Sequence, residues 1–203
     1  FGPKDGRLYF SQGSATNSGI VGIDNGLPDL GWLADAPQIH DVPAKSITLT
    51  GKNFSSPNIL APGPKNISSN GYLNGNFIVK ITSVLSKSKS ANNNGSNYLA
   101  NVTTGAFASF GNSTAKGEKI KGDMFCNACI LSTKPDGTDL KVVAWGIRDP
   151  EGLAFDPEGK LVVTVQGNDE RGSRPIANDH DRIYKIDVSN ATGLGKFYGW
   201  PDY

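Results

Sequence analysis

Apolar residues along this chain come in short runs, each closed off by Gly, Pro, Asn or Asp. The pattern is clearest from Val142 to Asn168, VVAWGIRDPEGLAFDPEGKLVVTVQGN. It predicts a strand ending at Trp145-Gly146, a tight connection through Arg148 to Gly152, and a second strand over Leu153 to Phe155. Asp156-Pro157-Glu158-Gly159 then reads as a turn, because Pro pre-sets one central φ and Gly accepts a positive one. Lys160 to Val165, rich in β-branched residues, is the third strand and stops at Gln166-Gly167.

The same arrangement opens the chain. FGPKDGRLYFSQGS lies over FDPEGKLVVTVQGN with Phe1 on Phe155, Pro3 on Pro157, Gln12 on Gln166 and Gly13 on Gly167. The Pro-to-Gln spacing is the same in both, with a longer turn and a shorter strand in the first copy. Ile130–Gly146 reads as a hairpin about Lys134-Pro135-Asp136-Gly137. Arg182–Pro201 has the same shape: strand, Gly/Asn-rich turn, short strand ending in aromatics. The pattern therefore predicts an all-β chain holding two copies of a four-strand unit. These are Phe1–Gly146, swollen by a long irregular insertion over 14–122, and Ile147–Tyr203. Repeats of this size point to β-propeller blades or an array.

Within the insertion the expected strands are Ile20–Ile23, Ile47–Thr50 and Phe77–Ile81. Asp24–Pro43 and Ser55–Gly71 read as loop, and Ser86–Asn97 as a low-complexity, mobile tip. No segment has the period of an amphipathic helix.

The runs WGIRDPEGLAFDPEGKLVVTVQGN, DERGSRP and YGWP resemble the glucose/sorbosone dehydrogenase family, and FGPKDGRLYFSQGSATNSG resembles the same family one blade earlier. The resemblance covers Phe1–Gly19 and Asp123–Tyr203. It implies part of a six-bladed β-propeller, of the kind whose soluble members use pyrroloquinoline quinone (PQQ) and Ca²⁺. It also implies sites. Arg148-Asp149 stands where the family carries an Arg-Asn pair on the cofactor, and a guanidinium suits quinone carboxylates. Asp149 departs from that pattern and brings a negative charge toward an anionic cofactor. Gln166 stands at a cofactor contact, and the carbonyls of Gly167 and Asn168 at Ca²⁺, which prefers hard oxygen ligands. The family's catalytic His would precede Phe1, so no catalytic residue is expected in this chain. The whole propeller would oxidise an aldose or related alcohol. The base would take the hydroxyl proton and hydride would pass to the quinone. On this reading the chain is a fragment of about two blades. The remaining blades would come from the same or another chain, covering Leu8, Phe10, Leu153, Phe155, Leu161, Val163 and Val165.

Each candidate also has a plainer reading. Arg148 and Asp149 can brace the turn between units, and Gln166-Gly167-Asn168 can be a strand end, as its repeat at Gln12-Gly13 suggests. The loop Asn168–Arg174 with Asp179 and Asp181 gathers carboxylates, but Arg171, Arg174 and Arg182 suffice to make it an ion-pair network. His40 beside Asp41, and His180 between Asp179 and Asp181, read as surface or structural residues. Tyr198-Gly199-Trp200-Pro201 can floor a sugar ring or close a core between blades. Cys126 and Cys129 are half a metal site at most, and read as a local disulfide or two small buried residues.

A net charge of +1 gives no electrostatic case for nucleic acid, and no apolar run is long enough to span a bilayer. Sequons at Asn53, Asn66, Asn94, Asn101, Asn112 and Asn190 favour a secreted, extracellular or periplasmic glycoprotein with those side chains on exposed loops. The rival to a sugar or alcohol dehydrogenase is a non-enzymatic extracellular propeller that binds glycan or protein, or a component of a surface assembly.

Overall fold

The computed structural model describes residues 1–26, 31–60, 101–189 and 195–203. Among them are strands β1 (Leu8–Gln12), β2 (Ile47–Thr48), β3 (Asn53–Pro57), β4 (Asn101–Gly105) and β5 (Lys119–Ile120). They are followed by β6 (Cys129–Thr133), β7 (Lys141–Trp145), β8 (Asp149–Phe155), β9 (Leu161–Gln166), β10 (Arg182–Ile186) and β11 (Lys196–Phe197). The only helical turn among the described residues is a short 3-10 segment, Ile23–Gly26. The chain is thus nearly all-β, in several small sheets, none of them closed.

Two sheets form the body. In the first, β1, β6 and β7 run antiparallel in the order the repeat predicts, with Leu8 opposite Thr133 and Gln12 opposite Cys129. In the second, β8, β9 and β10 make an antiparallel meander, from Asp149 opposite Gln166 to Phe155 opposite Leu161. The two predicted turns are in place. The Gly137 N–H donates to the Lys134 carbonyl and the Gly159 N–H to the Asp156 carbonyl, each at 2.9 Å. Gly137 and Gly159 hold φ of 83° and 79°, where an L side chain is strained.

The second unit departs from the repeat at its last strand. Arg182–Pro201 was expected to fold back as a hairpin, but β11 does not pair with β10. It crosses to the first sheet and lies parallel to β7, with Phe197 opposite Trp145. Aromatic packing accompanies the crossing: the Phe197 and Trp145 rings stand 4.4 Å apart, and the Tyr198 N–H donates to the Trp145 carbonyl at 2.9 Å.

Strand alternation then sets the layers. Leu161, Val163 and Val165 of β9 face Ile130, Val143 and Ile147, and all six are buried. Cys129, Leu131, Val142 and Trp145 face the other way, onto Ile20, Ala44, Ile47, Leu49, Ala106 and Phe107. The first sheet is therefore covered on both faces, which explains why β6 and β7 are almost continuously buried, with apolar runs at Cys129–Leu131 and Val142–Trp145, rather than alternating.

That second covering layer is the insertion, which sequence alone casts as an irregular, exposed loop. Its described parts carry two small antiparallel pairs, β2 with β5 and β3 with β4. Ser55 to Pro57, read as loop, lies in β3. Ile20–Ile23, read as a strand, is a buried loop entering the 3-10 turn. The expected strand Phe77–Ile81 and tip Ser86–Asn97 lie outside the described residues, as do Asn66, Asn94 and Asn190. Cys126 and Cys129 are joined in a disulfide and fully buried, in line with the local-disulfide reading.

The apolar residues expected beneath further blades are largely buried by this chain itself. Leu161, Val163 and Val165 lie under the first sheet, and Leu8, Leu153 and Phe155 are half-buried. Phe10 remains exposed, and on the outer face of the second sheet so do Ala154, Thr164 and Ile183.

If the insertion is a true core layer, removing a buried side chain from it costs as much as removing one elsewhere in the core. Leu49→Ala is expected to lower unfolding stability by about 2–4 kcal/mol. Ile183→Ser on the outer face should change it by no more than about 0.5 kcal/mol. Urea titration of both variants checks this, and equal small losses would return the insertion to a surface loop.

Candidate functional site

The residues singled out as a site meet at one end of the second sheet, where β8 begins and β9 stops. Asp149 and Gln166 are direct partners in the ladder, so Arg148 lies beside Asp149 at the strand entrance and Gly167-Asn168 lead away from Gln166. The first repeat arrives at the same place. The Ser14 N–H donates to the Arg148 carbonyl at 2.8 Å. Gly13 packs so closely on Asp149 that a Cβ there would stand 2.5 Å from its Oδ1. Both Gln-Gly copies therefore converge on one corner, the second as ladder partner and the first as its lid.

Arg148 is the centre of this corner. It is only 6% exposed, so its charge needs partners. Nε donates to the Asn17 carbonyl at 2.7 Å, and Nη2 donates to Asn17 Oδ1 at 2.9 Å and to Asp169 Oδ2 at 3.1 Å. Asn17 reaches further. Its Nδ2 donates to the carbonyls of Asp169 at 2.7 Å and Arg171 at 3.2 Å, while its Oδ1 also accepts the Asp169 N–H at 2.7 Å. One asparagine thus binds the strand entrance and the 169–171 loop together. The remaining Arg148 nitrogen, Nη1, is buried with no hydrogen-bond partner among the described residues.

The acidic loop resolves into pairs, as the plainer reading holds. Asp169 takes Arg148 and Arg171, Asp179 takes Arg182, and Asp202 takes Arg174. Asp179 also accepts the N–H and Nδ2 of Asn168, at 2.7 and 2.6 Å, and Asp181 accepts the Gly167 N–H at 3.0 Å. Burial works to raise the pKa of Asp179, but Arg182 and the Asn168 donors outweigh it and hold the carboxyl below its ordinary value. Among the described residues no three His, Cys, Asp or Glu side chains converge as a metal cluster.

Two cavities share this corner. The narrower, about 250 Å³, is lined by Arg148, Arg174, Tyr184, Tyr198 and Trp200. Tyr184 and Tyr198 meet edge to face at 5.0 Å, and Trp200 donates from Nε1 to Asn168 Oδ1 at 3.0 Å. The wider, about 640 Å³, is lined by Glu151, Gln166, Gly167, Asp169 and Asp181. Val165, Asn168, Asp179 and Arg182 line both and form the wall between them. Arg148 and Gln166 therefore look into different cavities, and Asp149 lines neither. All four YGWP residues line the narrow cavity, and Tyr198 packs on the inner core as well.

Behind the corner lies a residue that sequence reading passes over. Asp41 is fully buried, where it accepts the Ala15 N–H at 2.7 Å and the Thr16 hydroxyl at 2.5 Å. It braces the loop that presents Asn17. The neighbouring His40, half-buried, bonds the Asp41 carbonyl through Nδ1 at 2.8 Å, and His180 is exposed; neither lines either of these two cavities. Asn53, Asn101 and Asn112 are exposed as expected, but Asn53 and Asn101 stand at the ends of the paired strands β3 and β4 rather than on loops.

Burial is the largest influence on Asp41 and lifts its pKa to about 6, against the hydrogen bonds from Thr16 and Ala15. Because the folded pKa lies above the unfolded one, the fold favours the protonated form. Stability from this group is complete below about pH 4 and is lost as pH rises through about 6, a difference of about 3 kcal/mol. Asp41→Asn stays neutral throughout. Its stability relative to the parent should therefore rise by about that amount between pH 4 and pH 8 in urea titrations. Parallel pH profiles would show Asp41 to be ionised without cost.

Compared with protein-family models, with curated proteins and with solved structures, the chain finds no match.

Proposed function

We propose that this chain supplies the anion-anchoring wall of a quinoprotein-like sugar or alcohol dehydrogenase propeller of the glucose/sorbosone dehydrogenase type, acting outside the cell. The supporting observation is Arg148: a buried guanidinium in a residue that lines an aromatic cavity, fixed on one side by Asn17 and Asp169, with one buried nitrogen that has no partner among the described residues. A buried donor without a partner is costly, and an incoming carboxylate oxygen is the acceptor that offsets it best. PQQ is such a carboxylate, and when bound it supplies the hydride acceptor for oxidation of an aldose or related alcohol.

The chain's own contribution is binding and orientation. Arg148 Nη1 would take a carboxylate of the quinone, with Tyr184, Tyr198 and Trp200 shielding its rings from water. Gln166 lines the wider cavity, so it would not touch a quinone held by Arg148 in the narrow one. A calcium ion would rest on the carbonyls of Gly167 and Asn168, whose N–H groups Asp181 and Asp179 already hold in place. Asp149, turned toward Gly13, keeps its charge out of both cavities. The catalytic base and the remaining blades would lie outside these residues.

A second reading rests on cavity size. About 250 Å³ is nearer to a single sugar ring than to a tricyclic quinone, and it falls below the usual ~300 Å³ floor of cofactor sites. A non-enzymatic propeller binding a glycan through Trp200 and the Arg182–Asp179 pair would fit it.

Spectroscopic titration with PQQ in the presence of calcium separates the two. The first reading expects saturable binding that weakens by about 1.5–3 kcal/mol, roughly ten- to a hundredfold, in Arg148→Gln. A folded Arg148→Gln protein with unchanged affinity returns Arg148 to a bracing role. Neutral-sugar binding with no response to the quinone favours the second reading.

A further inference from the structure

Two of the sequons come together in the fold, although Asn53 and Thr114 are 61 positions apart in the chain: Asn53-Phe54-Ser55 and Asn112-Ser113-Thr114 meet at Thr114. Asn53 Nδ2 donates to the Thr114 carbonyl at 2.8 Å and to the Gly51 carbonyl at 2.9 Å, which uses both of its hydrogens. Its Oδ1 accepts the Thr114 N–H at 2.8 Å. The pair closes over Gly105, the ladder partner of Asn53, where a Cβ would stand 2.7 Å from Asn53 Oδ1 and 2.2 Å from Thr114 Oγ1. The Asn53 side-chain amide thus stands in for a backbone bridge between the start of β3 and the segment after β4.

Asn112 differs in every respect that matters to a transferase. Its side chain is exposed and makes no hydrogen bond among the described residues, while its backbone is fixed by Ser109 and Gly105. We propose that Asn112 is an N-glycosylation site of the mature protein, and that Asn53 is an unmodified structural clasp. This rests on the extracellular reading above. Transfer forms a bond from the Asn112 amide nitrogen to C1 of a lipid-diphosphate-linked oligosaccharide. The C1–O phosphate bond breaks, the lipid diphosphate leaves, and the amide gives up one proton. The same transfer at Asn53 would leave one N–H where the clasp needs two and would set a bulky sugar against bare Gly105. Thr114, buried in the fold, must be open when Asn112 is modified, so transfer precedes closure of the clasp. Any molecule modified at Asn53 cannot then close.

The test is secretion of the full chain from a glycosylating eukaryotic host, followed by amidase release of glycans in heavy-oxygen water and peptide mapping. Most secreted molecules should carry heavy-oxygen Asp at 112 and almost none at 53. Ser55→Thr makes the Asn53 sequon a stronger acceptor on an exposed strand position. It should lower the secreted yield while the secreted fraction stays bare at 53. Asn112→Gln should lose one glycan with melting temperature unchanged. A secreted protein occupied at Asn53 that melts like the parent overturns the clasp, and an empty Asn112 overturns the site. These readouts use no quinone or sugar ligand, so they stand or fall apart from the dehydrogenase reading.

Discussion

The structure turns on a permanent charge that it has taken out of water. A guanidinium cannot shed its proton at any ordinary pH, so Arg148 cannot escape the cost of burial by neutralising itself. Every partner must be a fixed oxygen. The chain meets that demand from two distant segments: the carbonyl and amide of Asn17, and the carboxylate of Asp169. Both segments lack strand ladders of their own at these points. Asn17 then ties them to each other through the 169–171 backbone, and Asp41 holds Asn17's loop from behind. Removing any one member leaves buried donors or acceptors without partners, so the corner is stable only as a whole.

The same logic governs the layers. A sheet with one wet face can alternate, but β6 and β7 carry apolar runs, Cys129–Leu131 and Val142–Trp145, that face both ways, and that choice commits the chain to a second cover. Leu49, Phe107 and Ile20 provide it from a stretch that carries no repeat. The insertion is therefore a structural requirement of the first sheet. Its polar loop at 15–19 is drawn between the sheets and the acidic loop, where only a fully bonded polar segment can stay.

How much of this was legible in the residues follows from the range of each interaction. β6, β7 and β9 could be read because their turns are chemical events within four residues, with Pro157 and Gly159 or Pro135 and Gly137 at the required positions; β8 was read only over Leu153–Phe155, and the stretch taken for a tight connection, Asp149 to Gly152, pairs with β9 as its first half. Arg148, Asp149 and Gln166 were named through the family resemblance alone; the β8–β9 ladder is what sets Asp149 opposite Gln166. β11 could not be read as it folds, since a two-residue strand has no period and its parallel partner Ala144 lies far back in the chain. Asn17 and Asp41 were hidden for a related reason. Small polar residues in a Ser-Ala-Thr-Asn-Ser-Gly run look solvated until their partners, more than a hundred residues away for Asn17, are in place. His40 drew attention to the wrong side of the pair: the carboxylate of Asp41 serves Ala15 and Thr16, not the imidazole.

Asn168 shows why the corner can be both brace and binding wall. Its Nδ2 and N–H are spent on Asp179 and its Oδ1 on Trp200, so its side chain is locked between the two cavities. Asp179 is itself held by Arg182, which lines both cavities as well. A ligand entering either cavity meets Asn168 and Asp179 with their polar groups already bonded, and it gains little from them. Arg148 Nη1 is the exception, a donor desolvated in advance by the fold. An acceptor that reached that nitrogen would gain the more for it, because the cost of stripping it of water was met when the chain folded.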